Sequence, residues 1–552
     1  MKIPLASPML ARAAILVLAL CCVPAALRAQ YMTAPAPAAY ALEGVTIVEA
    51  DGTRSENVTV VIRGAFIEEI GEGAAIPADA LRLNGDSLTI YPGIVDASGA
   101  VDFEFPELEV ERDEVQSWAP RRKVQSFQPH LRVVDYMTAT DSSLADLRND
   151  GVVATAVHPD GDLMPGRGAL LVARMDVESP FALVADPELG PVISLEGSSM
   201  RVYPYTLFGV IAFIRQAFED AQRDGQIQAA FASDQTGMLP PGWDPDYEVL
   251  RDVLDGEVPA YFPVDGAADI RRVLGLADDY GFEPVILGGA EAWEIAAILA
   301  ERDVPVFVSL DFPDPERWDP DDDSGEPLDA AAAAERQRLE EIYANAGRLA
   351  AAGVDIALTS GGGEANIREG VRKAIEYGLS EDAALAAVTI TPAEHYGISH
   401  IVQIEEGMPA TFVVTDGPLF GEDSEVVYTF VEGKLERGPE PGEKGVSGEP
   451  GSVAGEWDIE LSVGGEGAQA EMELTQEGNS FEGTLSGPFG ESRITGTVSG
   501  TEVNFTMTLA GQGADFSGTL SEDGSEMSGS GSSEFGRITF EATRTSAPGG
   551  GR

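Results

Sequence analysis

A chain of 552 residues with 44% hydrophobic content can bury a large core and is expected to form more than one domain. It carries 93 acidic and 35 basic residues, a formal net charge of −58, and such a field repels nucleic acid and anionic lipid. Nucleic acid is therefore excluded as an expected partner, and the acidic excess is interpreted first as a solvated surface.

The N-terminal segment predicts a secretory signal peptide at residues 1–29. Lys2 and Arg12 precede an apolar run at residues 13–23, and small residues follow it up to a cleavage site near Ala29. The apolar run is too short to span a bilayer. We therefore predict a secreted or periplasmic protein with no integral membrane segment in the mature chain.

The two cysteines of the chain, Cys21 and Cys22, both lie inside this predicted signal. The mature protein would then have no disulfide, no thiolate metal ligand and no cysteine nucleophile. Lipid attachment at Cys21 is the less favoured alternative, because the preceding Leu20 is bulky for such a site. Cleavage also removes three basic residues, so the mature net charge would be 32 − 93 = −61.

Short alternating strands predict a small β unit at residues 40–92. Its segments are YALEGVTIVEADG, NVTVVIRGAFIEEIG and LRLNGDSLTIYPG, with turns at Gly52 and Gly64. Strand patterns return in QIEEGMPATFVVTDG and EVVYTFVEGKLE, within residues 401–437. We expect these two ends to complete one composite β-sandwich.

Residues 93–400 alternate strands with amphipathic helices. Buried strands such as VILGG, VPVFVSL and VDIALTS are each followed or preceded by a helical segment. This rhythm over such a length favours an α/β fold with a (β/α)₈ TIM-like barrel. Near its end, Thr391 followed by Pro392 predicts the start of a capped helix, which would contain His395.

The C-terminal part predicts a separate all-β domain. A Gly/Pro/Glu-rich linker occupies residues 438–453, and strands of period two follow in residues 454–546. Val503 and Phe505 share one face of such a strand, as does the later Met507. We expect an antiparallel barrel or sandwich that serves as a binding or packing module.

Two flanking motifs resemble those of the amidohydrolase superfamily. They are PGIVD at residues 92–96, after the β unit, and EEGMPATFVVTDG with VVYTFVEGKLE, after the barrel. The resemblance covers residues 40–437 and is closest to imidazolonepropionase-like and secreted dipeptidase-like members. It implies a (β/α)₈ barrel with a small β-sandwich, and metal-assisted hydrolysis of C–N bonds in amides, lactams or peptides.

The residues that the resemblance would assign to the metal are missing. Active members carry His-x-His after the aspartate of the first motif, whereas Ser98 and Ala100 follow Asp96 here. Later strands would deliver further histidines and a final aspartate, but Gly288 or its neighbour and Ser360 stand in those places. The chain has only 4 histidines, so we expect no cofactor, and zinc only if the alternative given below holds.

His158 is the strongest remaining candidate for a functional side chain. It follows a buried strand, where ligand-binding residues of such barrels lie. Asp96, Ser98, Asp265 and Ser360 would ring the same mouth and form a vestigial polar pocket with it. The simpler interpretation is that His158 caps its strand and bonds a local carboxylate, that Asp96 bonds backbone at its strand end, and that Asp265 only starts a helix.

Three functions remain open from the sequence. The preferred one is a non-catalytic binding or partner subunit, paired with an active amidohydrolase relative or with itself as a homo-oligomer. The alternative is an active hydrolase of C–N bonds with an unorthodox site around His158, Asp96 and Asp265. A third possibility makes the C-terminal β domain the functional part, with the barrel as its scaffold.

Overall fold

A computed structural model describes residues 39–106, 115–140, 142–177, 179–198, 201–313, 315, 329–362, 366–437, and most of 453–546 apart from short gaps. The predicted signal peptide and nearly all of the predicted linker lie outside these residues. Contacts divide the chain into two compact units. The first extends to Glu422 and includes Phe430–Leu435, and the second comprises Asp423–Thr429 and the residues from Glu436 onward.

The β unit forms from both ends of the first part of the chain, as its alternating segments predict. Its strands are β1 (Ala39–Val48), β2 (Arg54–Arg63), β3 (Phe66–Gly71), β4 (Ala80–Asn84) and β5 (Thr89–Pro92). Three strands appear much later in the chain: β14 (Phe412–Thr415), β15 (Val426–Val431) and β16 (Lys434–Arg437).

Hydrogen bonds join these strands in one eight-stranded sheet of order β16-β15-β14-β5-β1-β2-β3, with β4 also paired to β1. The strands from both ends of the domain thus share one branched sheet, and the composite β-sandwich stays a prediction. The physical reason for the branch lies in the irregular strand β1, whose first half pairs with β4 and whose second half pairs with β5.

The central region contains two four-stranded sheets. The first consists of β6 (Ile94–Asp96), β7 (Val152–Val157), β8 (Ala169–Val172) and β9 (Val184–Asp186). The second consists of β10 (Ala260–Val264), β11 (Pro284–Gly288), β12 (Val306–Ser309) and β13 (Ile356–Thr359), all parallel.

Helices accompany these strands, as the amphipathic segments predict. They are α1 (Ala145–Asn149), α2 (Leu207–Ser233), α3 (Pro245–Leu254), α4 (Ala267–Tyr280), α5 (Ala296–Glu301), α6 (Ala330–Tyr343), α7 (Asn345–Ala351), α8 (Ile367–Glu376), α9 (Glu381–Val388) and α10 (Ile390–His395). None of the helices described combines the length and the apolar character needed to cross a membrane.

The central sheets depart from a regular eightfold repeat. Strands β6 and β7 are parallel, but β8 returns antiparallel to β7, and β9 is antiparallel to β8. A single parallel bridge, between Val192 and Tyr261, connects the first sheet region to β10. The fold is mixed α/β, and the alternation of strand and helix in the sequence does not reveal this hairpin.

Helix α10 begins two residues earlier than the capping pattern predicts. Its N-cap is Thr389, and Thr391 lies inside the helix. Thr389 does not cap it with its side chain, because its hydroxyl donates to the carbonyl of Leu385 at 2.6 Å. The preceding helix α9 therefore uses the residue that would otherwise start α10.

The C-terminal part forms a closed antiparallel barrel of eight strands. They are β17 (Gly455–Val463), β18 (Glu466–Glu477), β19 (Ser480–Gly487), β20 (Gly490–Ser499), β21 (Glu502–Leu509), β22 (Gln512–Leu520), β23 (Glu526–Ser533) and β24 (Gly536–Ser546). Pairing of β17 with β24 closes it. Trp457, Val503 and Phe505 are buried in its core, so the period-two pattern predicted the inward face.

Candidate functional site

A cleft of about 720 Å³ lies where the central strands end. Its lining includes the residues at or just after the carboxyl ends of six strands: Ser98, His158, Asp265, Gly288, Ser309 and Thr359. Carboxyl ends of parallel strands are where folds of this kind place their functional side chains. The structure therefore brings together three of the predicted residues, Ser98, His158 and Asp265, in one cavity.

Asp96 lies beneath this cleft and is almost fully buried, with 1% exposure. Its Oδ1 accepts hydrogen bonds from the Thr359 hydroxyl at 2.7 Å and from the backbone N–H groups of Ser98 and Ser360 at 3.2 Å each. Its Oδ2 accepts from the Ser360 hydroxyl at 2.5 Å. Burial raises the pKa of Asp96, and these hydrogen bonds oppose the rise.

Both oxygens of Asp96 are thus engaged by groups that tie the end of β6 to the end of β13. Ser360, also predicted for the mouth, is 7% exposed and is directed to this carboxylate. The arrangement matches the simpler interpretation of Asp96 as a residue that bonds its strand end.

His158 follows β7 and lies at the floor of the cleft. Its Nδ1 is 3.2 Å from the Ser98 hydroxyl, and its ring centroid is 4.4 Å from that of Tyr261. Its Nε2 is buried and has no hydrogen-bond partner among the described residues. Burial, with a smaller effect of nearby His395, lowers the pKa of His158 to about 3, so the imidazole is neutral at physiological pH.

A second group of buried polar side chains lies beside His158, and the sequence did not predict it. The Tyr261 hydroxyl is 3.0 Å from Nε2 of His395, and the Tyr396 hydroxyl donates to the carbonyl of Ala97 at 2.6 Å. Burial lowers the pKa of His395 to about 4 and raises the pKa values of both tyrosines. The inward direction of Tyr261 follows from the alternation along β10, but its contact with a helix near residue 395 has no local signal.

Asp265 is exposed on one side of the cleft. Its Oδ1 accepts a hydrogen bond from the backbone N–H of Ala290 at 3.3 Å. The alternative prediction, that Asp265 starts the next helix, is wrong, because the N-cap of α4 is Gly266. Asp265 therefore joins the loops that follow β10 and β11.

Glycine at position 288 is required by the backbone. Gly288 has a φ of +89°, and a β-carbon there would lie 2.5 Å from Oδ1 of Asp265. A side chain at this position would have to displace the carboxylate and adopt a strained backbone conformation. The strand end that the resemblance would assign to a metal-binding histidine is thus shaped for a residue without a side chain.

The other histidines do not line the cleft. His130 contacts Asp246 through Nδ1 at 2.5 Å, within an ion-pair cluster that also includes Arg122. His400 is exposed in a short helical turn before the returning β strands. Among the described residues, no three His, Cys, Asp or Glu side chains group closely enough to hold a metal ion.

Comparisons with known proteins agree with this architecture. Residues 306–435 match the family model described as the amidohydrolase family. The crystal structure of an amidohydrolase from Thermotoga maritima MSB8 superposes with a TM-score of 0.60 and 21% identity, over 72% of this chain and 100% of that one. Residues 306–435 therefore carry the sequence pattern of the amidohydrolase family, and the chain has a fold similar to that of an amidohydrolase.

Two further proteins share shorter or weaker similarity with this chain. The adenine deaminase of Methanothermobacter thermautotrophicus strain Delta H is 37% identical over 91 residues, which is 16% of either chain. An adenosine deaminase from Xanthomonas campestris, with bound zinc, aligns at 14% identity and a TM-score of 0.40, over 73% of this chain and 94% of that one. This chain therefore spans about a sixth of the curated relative that it matches.

Proposed function

We propose that this protein binds a ligand or a protein partner in its cleft and does not carry out metal-assisted hydrolysis. The observation that supports the proposal is the chemistry of the strand ends. Ser98 and Ala100 follow β6, Gly288 ends β11, and Ser360 follows β13. None of these side chains is an effective ligand for a divalent cation.

Hydrolysis of a C–N bond in the amidohydrolase superfamily would need a metal ion to polarise the carbonyl and to acidify a water molecule. The residues at the cleft do not fit such an ion. Asp96 uses both oxygens within the protein, and His158 is paired with a hydroxyl through one nitrogen while the other is buried.

The second candidate function is an active hydrolase of C–N bonds with an unorthodox site around His158, Asp96 and Asp265. It is favoured by one contact, the 3.2 Å between the Ser98 hydroxyl and Nδ1 of His158, which is a distance suited to a nucleophile and its base. Two features weaken it. The pKa of His158 falls to about 3, and no carboxylate bonds its Nε2 among the described residues, so the imidazolium that must form is poorly stabilised.

Metal content and turnover of the full-length protein test the proposal. After purification with zinc and manganese present, we expect much less than one metal ion per chain and background hydrolysis of dipeptides and lactams. A known zinc hydrolase treated in the same way serves as the positive control. Stoichiometric metal together with turnover that a chelator abolishes would overturn the proposal.

The variant His158→Ala separates the two candidate functions. Turnover that disappears in this variant, with folding unchanged, would establish the alternative hydrolase. Equal background rates in the variant and the parent protein would remove it.

We also propose that the mature protein is secreted or periplasmic, and that its domains follow the boundaries predicted above. The C-terminal barrel is then a binding or packing module joined by the linker. Truncation after Arg437 tests the role of this barrel. If the barrel carries the binding site for a partner or a surface, the truncated protein should no longer bind.

Cell fractionation tests the proposed location. Retention of the uncleaved protein in the cytoplasm would contradict the proposal that it is secreted or periplasmic.

A further inference from the structure

Five carboxylate side chains line the cleft of the central region. They come from five different loops and belong to Asp102, Asp160, Glu196, Asp265 and Asp311. All five residues are exposed. Two of them accept a backbone hydrogen bond, Asp160 from Gly161 and Asp265 from Ala290.

No positive charge compensates these carboxylates within the described part of the chain. The lining contains no lysine or arginine, and none of the five carboxylates has an ion-pair partner there. The arginines pair elsewhere, as Arg174 does with Glu432 and Arg251 with Asp224. His158 is neutral at physiological pH and adds no charge to the floor of the cleft.

A concave site amplifies this imbalance. A cleft lined by charges of one sign concentrates their field and raises the local concentration of the opposite charge. The cleft is also of a size that encloses a small molecule. A bound anion would face five carboxylates, whereas a bound cation would neutralise part of their repulsion.

The hydrogen-bonding groups on the rim of the cleft also favour a cation. Ionised carboxylates are acceptors only, so the five side chains offer acceptors to a ligand that carries N–H donors. Nδ1 of His158 already contacts the Ser98 hydroxyl at 3.2 Å.

Two aromatic side chains complete the lining. Phe103 and Phe312 both border the cleft. The face of an aromatic ring attracts an organic cation and also packs against its methylene groups. An inorganic ion has no methylene groups to pack on such rings, and a divalent one prefers several converging oxygen ligands.

We propose that the cleft binds a small organic cation, an alkyl ammonium or guanidinium compound. The inference rests on the proposed function of the cleft as a ligand site, and it adds the charge class of the ligand. Specificity would come from the carboxylates around the rim and from the two phenylalanines.

Calorimetric titration of the full-length protein with cadaverine and agmatine tests this inference. Glutarate and 1-pentanol, which have similar length but negative or no charge, are titrated in parallel. We expect binding of the two cations with a stoichiometry of one, weakening several-fold as salt is raised, and no measurable binding of glutarate.

Matched neutral variants locate the bound cation. Glu196→Gln and Asp311→Asn each remove one cleft carboxylate and should each weaken cadaverine binding by about two- to five-fold. Glu72→Gln removes an exposed carboxylate of the β unit, which is not among the cleft residues, and should leave the affinity unchanged.

Three outcomes would overturn the inference. The first is that neither cation binds at millimolar concentration, and the second is that all three variants weaken binding equally. The third is that glutarate, 1-pentanol or calcium, titrated in the same way, binds more tightly than cadaverine and that Glu196→Gln changes the affinity for that compound. Tighter binding of glutarate or 1-pentanol in the cleft would overturn the charge class inferred here, but the cleft would still be a ligand site. Chelator-sensitive turnover would instead contradict the proposed function.

Discussion

Replacement of His158 by glutamine tests how strongly the fold keeps this imidazole neutral. The pKa of His158 is lowered from 6.5 to about 3 by burial. The unfolded chain therefore binds a proton as the pH falls through 6.5, whereas the folded protein does not until about pH 3. Stability is fully present above pH 6.5 and is lost progressively between these two values.

The size of the effect follows from the two pKa values. At about pH 4.5 the unfolded chain carries nearly one additional proton on this residue, which costs about 3 kcal/mol of unfolding free energy relative to neutral pH. Glutamine has a similar shape, can bond the Ser98 hydroxyl and does not titrate. In His158→Gln this part of the acid destabilisation should be absent, while His395, with a pKa lowered to about 4, retains a similar dependence of its own.

Denaturant unfolding, followed by fluorescence at about pH 7.5 and about pH 4.5, measures the difference. The quantity compared is the loss of unfolding free energy between the two pH values, since a constant effect of the substitution on stability then cancels. His400→Gln, at an exposed position, is the matched control and should lose as much as the parent protein. An equal loss in His158→Gln would show that the folded protein protonates this imidazole without penalty and would refute the reasoning.

Three further variants test the structural roles assigned above. Asp96→Ala leaves the donors around a buried carboxylate without a partner and should reduce the free energy of unfolding by about 3–5 kcal/mol, more than Asp96→Asn, as measured by denaturant titration. Gly288→Ala should destabilise the protein by about 1–3 kcal/mol, and by more than Gly281→Ala, because both positions have positive φ but only the former must also displace Asp265. Trp457→Ala removes a fully buried ring and should cost the C-terminal barrel about 3–5 kcal/mol in calorimetry, and an unchanged barrel transition would contradict its place in that core.

Local patterns determined the elements and the location of the cleft. Alternating residues fixed the strands of the β unit and of the C-terminal barrel, because each strand must present one face to a core. Ser98 and His158 could be assigned to the cleft because each directly follows a buried strand, and the ends of parallel strands meet at one edge. The motifs at both ends of the domain indicated the superfamily.

Tertiary structure alone decided the chemistry within that cleft. The hydrogen bond between the Ser360 hydroxyl and Asp96 joins residues 264 positions apart, and the contact between Tyr261 and His395 joins residues 134 apart. No periodicity encodes such pairs, because they depend on how whole strands and helices pack. The antiparallel return of β8 to β7 has the same origin, since the sequence alternation of strand and helix does not mark that hairpin. The sequence could therefore name the side chains at the strand ends, but only the packing decides which carboxylates are buried and satisfied and which remain free to meet a ligand.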